Sequence, residues 1–443
     1  MTSVLSRPCA PFAPVSGTDL QVPLVQGGSC TYANFDYAAS APALVAVTDR
    51  IAELLPFYSS VHRGAGYASR VCTAAYEKVR VTVASFIGAQ QDSVVVFTRN
   101  TTDSLNLLAS CVPGETVVLD IEHHANLLPW RDRRVVVAAS TLAETIVRLE
   151  SELAAKPAAL LAITGASNVT GEVLPIAELA ALAHRYGARI AVDGAQLVPH
   201  RRVDMAALGV DYLAFSGHKL YAPFGAGVLV GARDWLDVGE PHLAGGGAVR
   251  SVSIDRTDWA PAPQRHEAGT PNVLGVAALA AACEAIARFD DAELQAHERD
   301  LSSRLRDGLA ALDGVEQLQV WADAPDSVGI VTFIVAGRDP GEVAAYLSAE
   351  HGIGVRDGKF CAHPLLRRLG HADGAVRASI GLGSSSADVD RLVGAVAALV
   401  ESGPNWHYEE IVGWWNPVPD PRPFPELADG AAGVGSPCTP ADS

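Results

Sequence analysis

Lys219 lies in the apolar run AFSGHKLYAPFGAGVLVG (214–231), with Ser216 and His218 as its polar neighbours. Lysine is rarely buried without a partner. A desolvated lysine amine near other positive groups loses basicity and becomes a nucleophile. A second polar set follows the run RIAVD (189–193), where Asp193 is succeeded by Gly194, Ala195 and Gln196. Alone, such an aspartate reads as a helix N-cap or an ion-pair partner. Beside Ser216, His218 and Lys219 it completes a set of acid, amide, hydroxyl, imidazole and amine. A third set, Thr101-Thr102-Asp103, follows the run VVVF (94–97) and heads a helical pattern. Hydroxyls and free N–H groups at a helix start suit a phosphate, and equally an ordinary N-cap by Thr or Asp. Glu122-His123-His124-Ala125-Asn126 follows VVLD (117–120). No third ligand stands at recognisable metal-site spacing from the two histidines, so a histidine ring laid flat on an aromatic ligand is the alternative.

These residues must be delivered by strand ends. The short apolar runs VVVF (94–97), VVLD (117–120), VVVAA (135–139), ALLAIT (159–164), RIAVD (189–193), DYLAFS (211–216) and GVLVG (227–231) predict buried strands. Helical patterns such as 174–186 separate several of them. The alternation predicts an α/β domain with a mostly parallel sheet, whose ligands sit beyond the carboxyl ends of the strands. Beyond it, helical periodicity over 272–313, a strand within 328–337, a helix near 340–351, a short strand at IGVR and a helix near 386–401 predict a smaller α+β domain. The expected organisation is an N-terminal arm (1–33), a large domain (34–285), a small domain (286–403) and a Pro- and Trp-rich tail (404–443).

Among 443 residues, 49% are hydrophobic and 19% charged, which supports a filled core. The formal net charge of -17 and the lack of a basic stripe argue against nucleic acid as a partner. The run VAALAAACEAIARF (276–289) is the nearest thing to a membrane span, but it is short and carries charges. A soluble, cytoplasmic protein without a membrane partner is expected. The seven cysteines are scattered with no CxxC pair, so neither a zinc site nor a disulfide framework is expected. The glycines of GAGVLVG (225–231) follow the lysine instead of opening a helix, which argues against a dinucleotide fingerprint.

Together the parts describe one ligand, a phosphorylated aromatic aldehyde with a ring nitrogen. Pyridoxal phosphate requires a lysine for a Schiff base, a carboxylate for the pyridinium proton and a polar phosphate cradle. The motifs DYAASAP (36–42), VHRGAGYASR (61–70), TRNTTDSLNLLA (98–109), EHHANLLPW (122–130), VDGAQLVPH (192–200), SGHKLYAPFGAG (216–227), GTPNVLG (269–275) and VRDGKFCAHPLLRRLG (355–370) occur in this order. In this combination the chain, from Asp36 to Val400, resembles the class V aminotransferase family of fold-type I pyridoxal phosphate enzymes, in its cysteine desulfurase/selenocysteine lyase branch. The resemblance implies a large α/β domain with a mostly parallel sheet plus a smaller α+β domain, in a homodimer with shared active sites.

It also implies roles. Lys219 forms the Schiff base and shuttles protons at the substrate Cα, Asp193 pairs with the ring nitrogen, and His124 stacks on the ring. Gln196, with Asn168 nearby, bonds the phenolic oxygen. Thr102, Ser216 and His218 hold the phosphate, with Thr101 a further candidate and Thr270 reaching it from a second subunit. Arg377 clamps a substrate carboxylate through two parallel N–H bonds, and Arg356 is a second substrate contact. Cys361 falls where the family's desulfurases place the thiol that takes the substrate sulfur as a persulfide; a buried, inert cysteine is the alternative.

The leading expectation is therefore a cysteine desulfurase that leaves alanine, with an acceptor protein as a further partner. Three departures from the resemblance motivate a runner-up: IGLGSSSADVD (380–390) where a tyrosine–asparagine turn is common, ITGA (163–166) where a histidine is common, and the Trp-rich tail. That runner-up is a C–S lyase acting on a larger cysteine derivative, with an aminotransferase or epimerase as a third reading. A catalytically silent scaffold is the reading from another class, and the intact Lys219, Asp193 and His124 argue against it.

Overall fold

The computed structural model describes residues 8–423 and Pro425. The chain divides into two compact units. The larger comprises Ser40–Gln295 with Val320–Val328; the smaller comprises the described residues up to Ala39, Ala296–Gln319 and the described residues from Gly329 onward.

Seven strands form the sheet of the larger unit: β1 (Val94–Thr98), β2 (Thr116–Leu119), β3 (Arg133–Val136), β4 (Leu160–Thr164), β5 (Arg189–Asp193), β6 (Tyr212–Ser216) and β7 (Gly227–Gly231). Their order is β1-β7-β6-β5-β4-β2-β3. The β2, β3, β4, β5 and β6 pairings are parallel, and β7 runs antiparallel to both β1 and β6. Each of the strands β2, β4, β6 and β7 is buried along its whole length, as expected for a sheet covered on both faces. The strand expected over 135–139 pairs only as far as Val136.

The sheet edge at β1 is sealed by side chains. Arg80 Nη1 donates to Val95 O at 2.7 Å, and Phe97 N donates to Glu267 Oε1 at 2.7 Å. Arg80 and Glu267 pair with each other through two bonds of 2.7 and 2.8 Å, and Tyr76 Oη donates to Glu267 Oε2. An edge strand whose outward groups are occupied in this way does not template a second chain.

The smaller unit holds an antiparallel sheet of β8 (Val315–Gln317), β9 (Ile330–Val335), β10 (Arg356–Gly358) and β11 (Ala375–Ser379), in the order β8-β9-β11-β10. The helices Pro340–His351 and Ser386–Ser402 bury Leu347, Leu392, Val396 and Leu399 in one core with Phe333 and Val376. A capping box, Ser385 with Asp388, starts the second helix. Ala33–Asn34 pairs in parallel with Ile353–Gly354, and Val25 N donates to Ala349 O, so described residues of the N-terminal segment belong to this core. The expected strand IGVR is two pieces, because Ile353–Gly354 pairs with Ala33–Asn34 whereas Arg356 begins β10. The helical region 272–313 is likewise two helices, Val273–Ile286 and Asp291–Ala310. Residues 408–417 of the tail form a hairpin, Tyr408–Ile411 against Trp414–Pro417. Among the described residues no helix is long and apolar enough to cross a membrane.

Candidate functional site

In the larger unit the chemistry gathers at the carboxyl ends of β4, β5 and β6 and at the start of the helix Thr101–Cys111. β6 ends at Ser216 and passes directly into a single 3-10 turn, Gly217–Lys219. The turn closes with Leu220 N and Ala222 N both donating to Gly217 O at 2.9 Å. Tyr221 then takes φ +60°, which reverses the chain behind the lysine; a non-glycine residue there costs about 1–2 kcal/mol. Ala41 N and Ser40 Oγ donate to His218 O, so the motif DYAASAP holds the backbone beside the lysine.

The helix start reaches the same place. Asn100, rather than Thr or Asp, caps it: Asn100 Oδ1 accepts Asp103 N at 3.0 Å. Thr101 is thereby released to bond Ser216, its N at 2.8 Å and its Oγ1 at 2.6 Å from Ser216 Oγ. Thr102 is exposed on the first turn. Gly227 permits the approach, since a Cβ there would lie 2.4 Å from Asn100 Cα. Asp103 bonds His242 at 2.9 Å and Arg99 at 2.8 Å. Burial opposes its charge, but these two partners overcome it and hold the carboxyl well below the usual range.

Asp193, at the end of β5, is 3% exposed, and its Oδ1 accepts Ala195 N at 3.0 Å. Burial raises its proton affinity, and the positive charge of Lys219 opposes that rise. His218 is pushed down to about 4 by burial and by Lys219, so its imidazole is neutral at pH 7. Asp193 and His218 thus each sense the charge of Lys219. Gln196 and Asn168 are both buried in the turns that follow β5 and β4. His124 is the first residue of the helix His124–Leu127, half-buried, its ring centroid 6.3 Å from that of His123. That short helix is pinned by Trp130 Nε1 donating to Asn126 O and by Asn126 Nδ2 donating to Glu122 Oε2, both within 2.8 Å. Thr270 is exposed, three residues beyond the edge-sealing Glu267.

The arrangement fits pyridoxal phosphate. The Thr101 and Ser216 hydroxyls at a helix start suit a phosphate, and a buried carboxyl near a lysine suits a ring nitrogen and an aldehyde.

In the smaller unit Arg377, on β11, is 3% exposed, and its Nη2 donates to Asp36 Oδ1 at 3.1 Å. Burial pulls its proton affinity down, Asp36 pushes it back up, and Arg356 and Cys361 act on it too. Asp36 is itself fixed to β11, because Ser379 N donates to Phe35 O and Ala38 N donates to Ser379 Oγ. Phe360 lies under the Arg377 guanidinium, 5.2 Å from Cζ to ring centroid. Phe360 and the half-buried Cys361 both take φ +51°, in a turn that leads into the helix His363–Arg368. Two successive non-glycine residues in the left-handed region are a strained arrangement of the kind found at functional sites.

The residues singled out by sequence therefore fall into two groups, one in each unit. Asp36, Asn100 and Glu122 lie inside the motifs, and what they do emerges only from their partners. The stretch Ile380–Ser384 also gains a physical account. The Tyr37 ring packs over Gly381 and Gly383, where added Cβ atoms would lie 2.1 Å from Tyr37 Cδ1 and 2.5 Å from its hydroxyl. Burial pushes the Tyr37 hydroxyl up to about 12, against a hydrogen bond with Ser384.

Residues 33–392 match the family model described as Aminotransferase class-V. A cysteine desulfurase of Dickeya dadantii (strain 3937) is 38% identical over 380 residues, spanning 82% of this chain and 90% of that protein. Cysteine desulfurase CsdA of Escherichia coli K12 is 38% identical over 367 residues, 78% of this chain and 89% of its own. Among solved structures, apo cysteine desulfurase from Thermococcus onnurineus NA1 superposes with a TM-score of 0.78 at 34% identity, covering 84% of this chain and 95% of that one. The S-sulfonic acid form of E. coli CsdA gives 0.74 at 36% identity, with the same coverage.

Proposed function

This chain belongs to the class-V aminotransferase family, and from that premise we propose that it is a pyridoxal phosphate-dependent cysteine desulfurase, which moves sulfur from L-cysteine onto Cys361 and leaves alanine. The observation that carries the reading is the Cys361 turn: a half-buried thiol on a strained left-handed backbone, in electrostatic contact with a buried arginine that suits a substrate carboxylate. Relatives named cysteine desulfurase, alike over most of their length, support it.

When bound, pyridoxal phosphate supplies an electron sink for the pair left at the substrate Cα. Lys219 Nζ would hold the cofactor through its aldehyde carbon and would serve as the base that moves the proton at the substrate Cα. Asp193 would pair with the ring nitrogen and His124 would stack on the ring. Gln196 would bond the phenolic oxygen, with Asn168 nearby. Ser216, Thr102, neutral His218 and Thr101 would hold the phosphate. Thr270 would reach the phosphate of a second copy of the chain in a cytoplasmic homodimer. The Arg377 fork takes the substrate carboxylate, assisted by Arg356.

The Cys361 thiolate attacks the substrate sulfur. The S–S bond forms, the C–S bond breaks, and the electron pair stays on the carbon fragment, which is protonated to alanine. One cysteine and one thiol become one alanine and one persulfide, with no outside oxidant. The persulfide sulfur then passes to an acceptor protein or a reductant.

Product analysis tests the reading. The pure protein given L-cysteine and a reductant should yield alanine and sulfide in equal amounts. Pyruvate and ammonia in place of alanine would identify a C–S lyase.

A further inference from the structure

Glu122 is the most deeply enclosed carboxyl near the site, and none of the roles above uses it. Its side chain is 0% exposed. Oε1 accepts Thr164 N at 3.0 Å, and Oε2 accepts Asn126 Nδ2 at 2.8 Å. Both partners are placed to matter. Thr164 ends β4 and stands directly opposite Asp193 in the parallel register. Asn126 lies on the four-residue helix that begins with His124. One carboxyl group thus ties the helix that carries His124 to the strand end beside Asp193.

The charges acting most strongly on Glu122 are Asp193 on β5 and Asp120 just beyond β2, both negative. A second anion enclosed beside Asp193 would be costly. Burial first, then those two carboxylates, push Glu122 up to about 8, against the bonds from Asn126 and Thr164. Asp193 differs in having the positive charge of Lys219 to favour its ionised form. The Asn126 amide suits either state of Glu122. Among the described residues its buried Oδ1 has no hydrogen-bond partner, so the amide can turn over without losing a bond. Turned, it accepts from a carboxylic O–H instead of donating to a carboxylate.

We propose that Glu122 is a positioning residue that works as a neutral carboxylic acid, fixing the His124 helix against the Asp193 strand end without adding a further negative charge beside Asp193. The assignment rests on the pyridoxal phosphate reading for its purpose, but not for its test.

Full-length wild type and Glu122→Gln are unfolded with denaturant between about pH 5 and pH 9, with and without cofactor. A carboxyl that keeps its proton in the folded state and loses it in the unfolded state makes stability fall as pH rises. The wild-type folding constant, relative to Glu122→Gln, should fall by about tenfold per pH unit from the ordinary glutamate range up to about 8, then level off. Parallel curves, or a ratio that rises with pH, would overturn the proposal. Infrared spectra of the wild type alone give a check that needs no variant: a protonated-carboxyl band present at about pH 6.5 should fade as pH passes about 8, and its absence at the lower pH would overturn the assignment.

For the positioning role, Glu122→Gln should retain cofactor through gel filtration and keep its near-visible band. Glu122→Ala, which removes both bonds, should shift the band and release cofactor at least about tenfold faster. Equal retention by the Ala variant would overturn that part. A failure to release sulfur from cysteine would sink the desulfurase reading and leave these results standing.

Discussion

Arg356 and Arg377 stand directly opposite each other on the antiparallel strands β10 and β11. Like charges in directly opposed positions destabilise a sheet, yet here one of the two is buried and held by Asp36. An anion brought to this pair would relieve the repulsion, as the substrate carboxylate of the proposed reaction would. Arg377→Lys keeps the charge and loses the planar fork. It should raise KM for L-cysteine about 10- to 100-fold, the worth of one charge-assisted bond pair, and leave the cofactor spectrum unchanged. Steady-state kinetics with absorbance of the same sample checks both halves.

Lys219→Ala should abolish the near-visible band and lower turnover by at least about 10⁴-fold, since in the proposed function it would remove both the cofactor's covalent anchor and the base at Cα. Circular dichroism should show the fold intact, because the 3-10 turn is closed by backbone bonds to Gly217 O.

The depressed His218 makes acid sensitivity local. In the folded cofactor-free chain it titrates near 4, below its unfolded value of about 6.5. The unfolded state therefore binds more protons between those values, and stability is lost as pH falls through that window. His218→Gln should flatten this part of the acid limb and leave stability at about pH 8 little changed, as read by denaturant midpoints.

Gly381→Ala should cost about 1–3 kcal/mol by overpacking, because its new Cβ would overlap the Tyr37 ring. In a Tyr37→Ala background the same change should cost markedly less. A double-mutant cycle on denaturant midpoints measures the coupling.

Local pattern carries some of this architecture and misses the rest. Runs such as LLAIT and GVLVG are buried strands because apolar side chains fill both faces of the sheet, and Asp193 and Ser216 stand at strand ends as the pattern requires. The resemblance of the motifs to those of a known family also pointed to the class V aminotransferases. What stayed hidden depends on distant partners. Asp36 meets Arg377 across 341 residues, and Tyr37 meets Gly381 across a similar gap. Glu122 looked like part of a histidine motif, and only its enclosure between Thr164 and Asn126 gives it a purpose. The helix start at Thr101 was ambiguous because Asn100, Thr101, Thr102 and Asp103 can all cap; the structure gives the cap to Asn100 and Thr101 to Ser216. The strand expected at IGVR split because its two halves pair with different neighbours, which periodicity does not encode.

The central claim is that Cys361 receives the sulfur. Holoenzyme is mixed with one equivalent of L-cysteine in the absence of reductant, quenched with an alkylating agent, digested and weighed by mass spectrometry beside a Cys361→Ala control. The account predicts one extra sulfur on the Cys361 peptide, matched mole for mole by alanine, and no alanine from the control, which still binds cofactor. An unmodified Cys361 peptide alongside full alanine formation, or a control that releases sulfur at the wild-type rate, would contradict it.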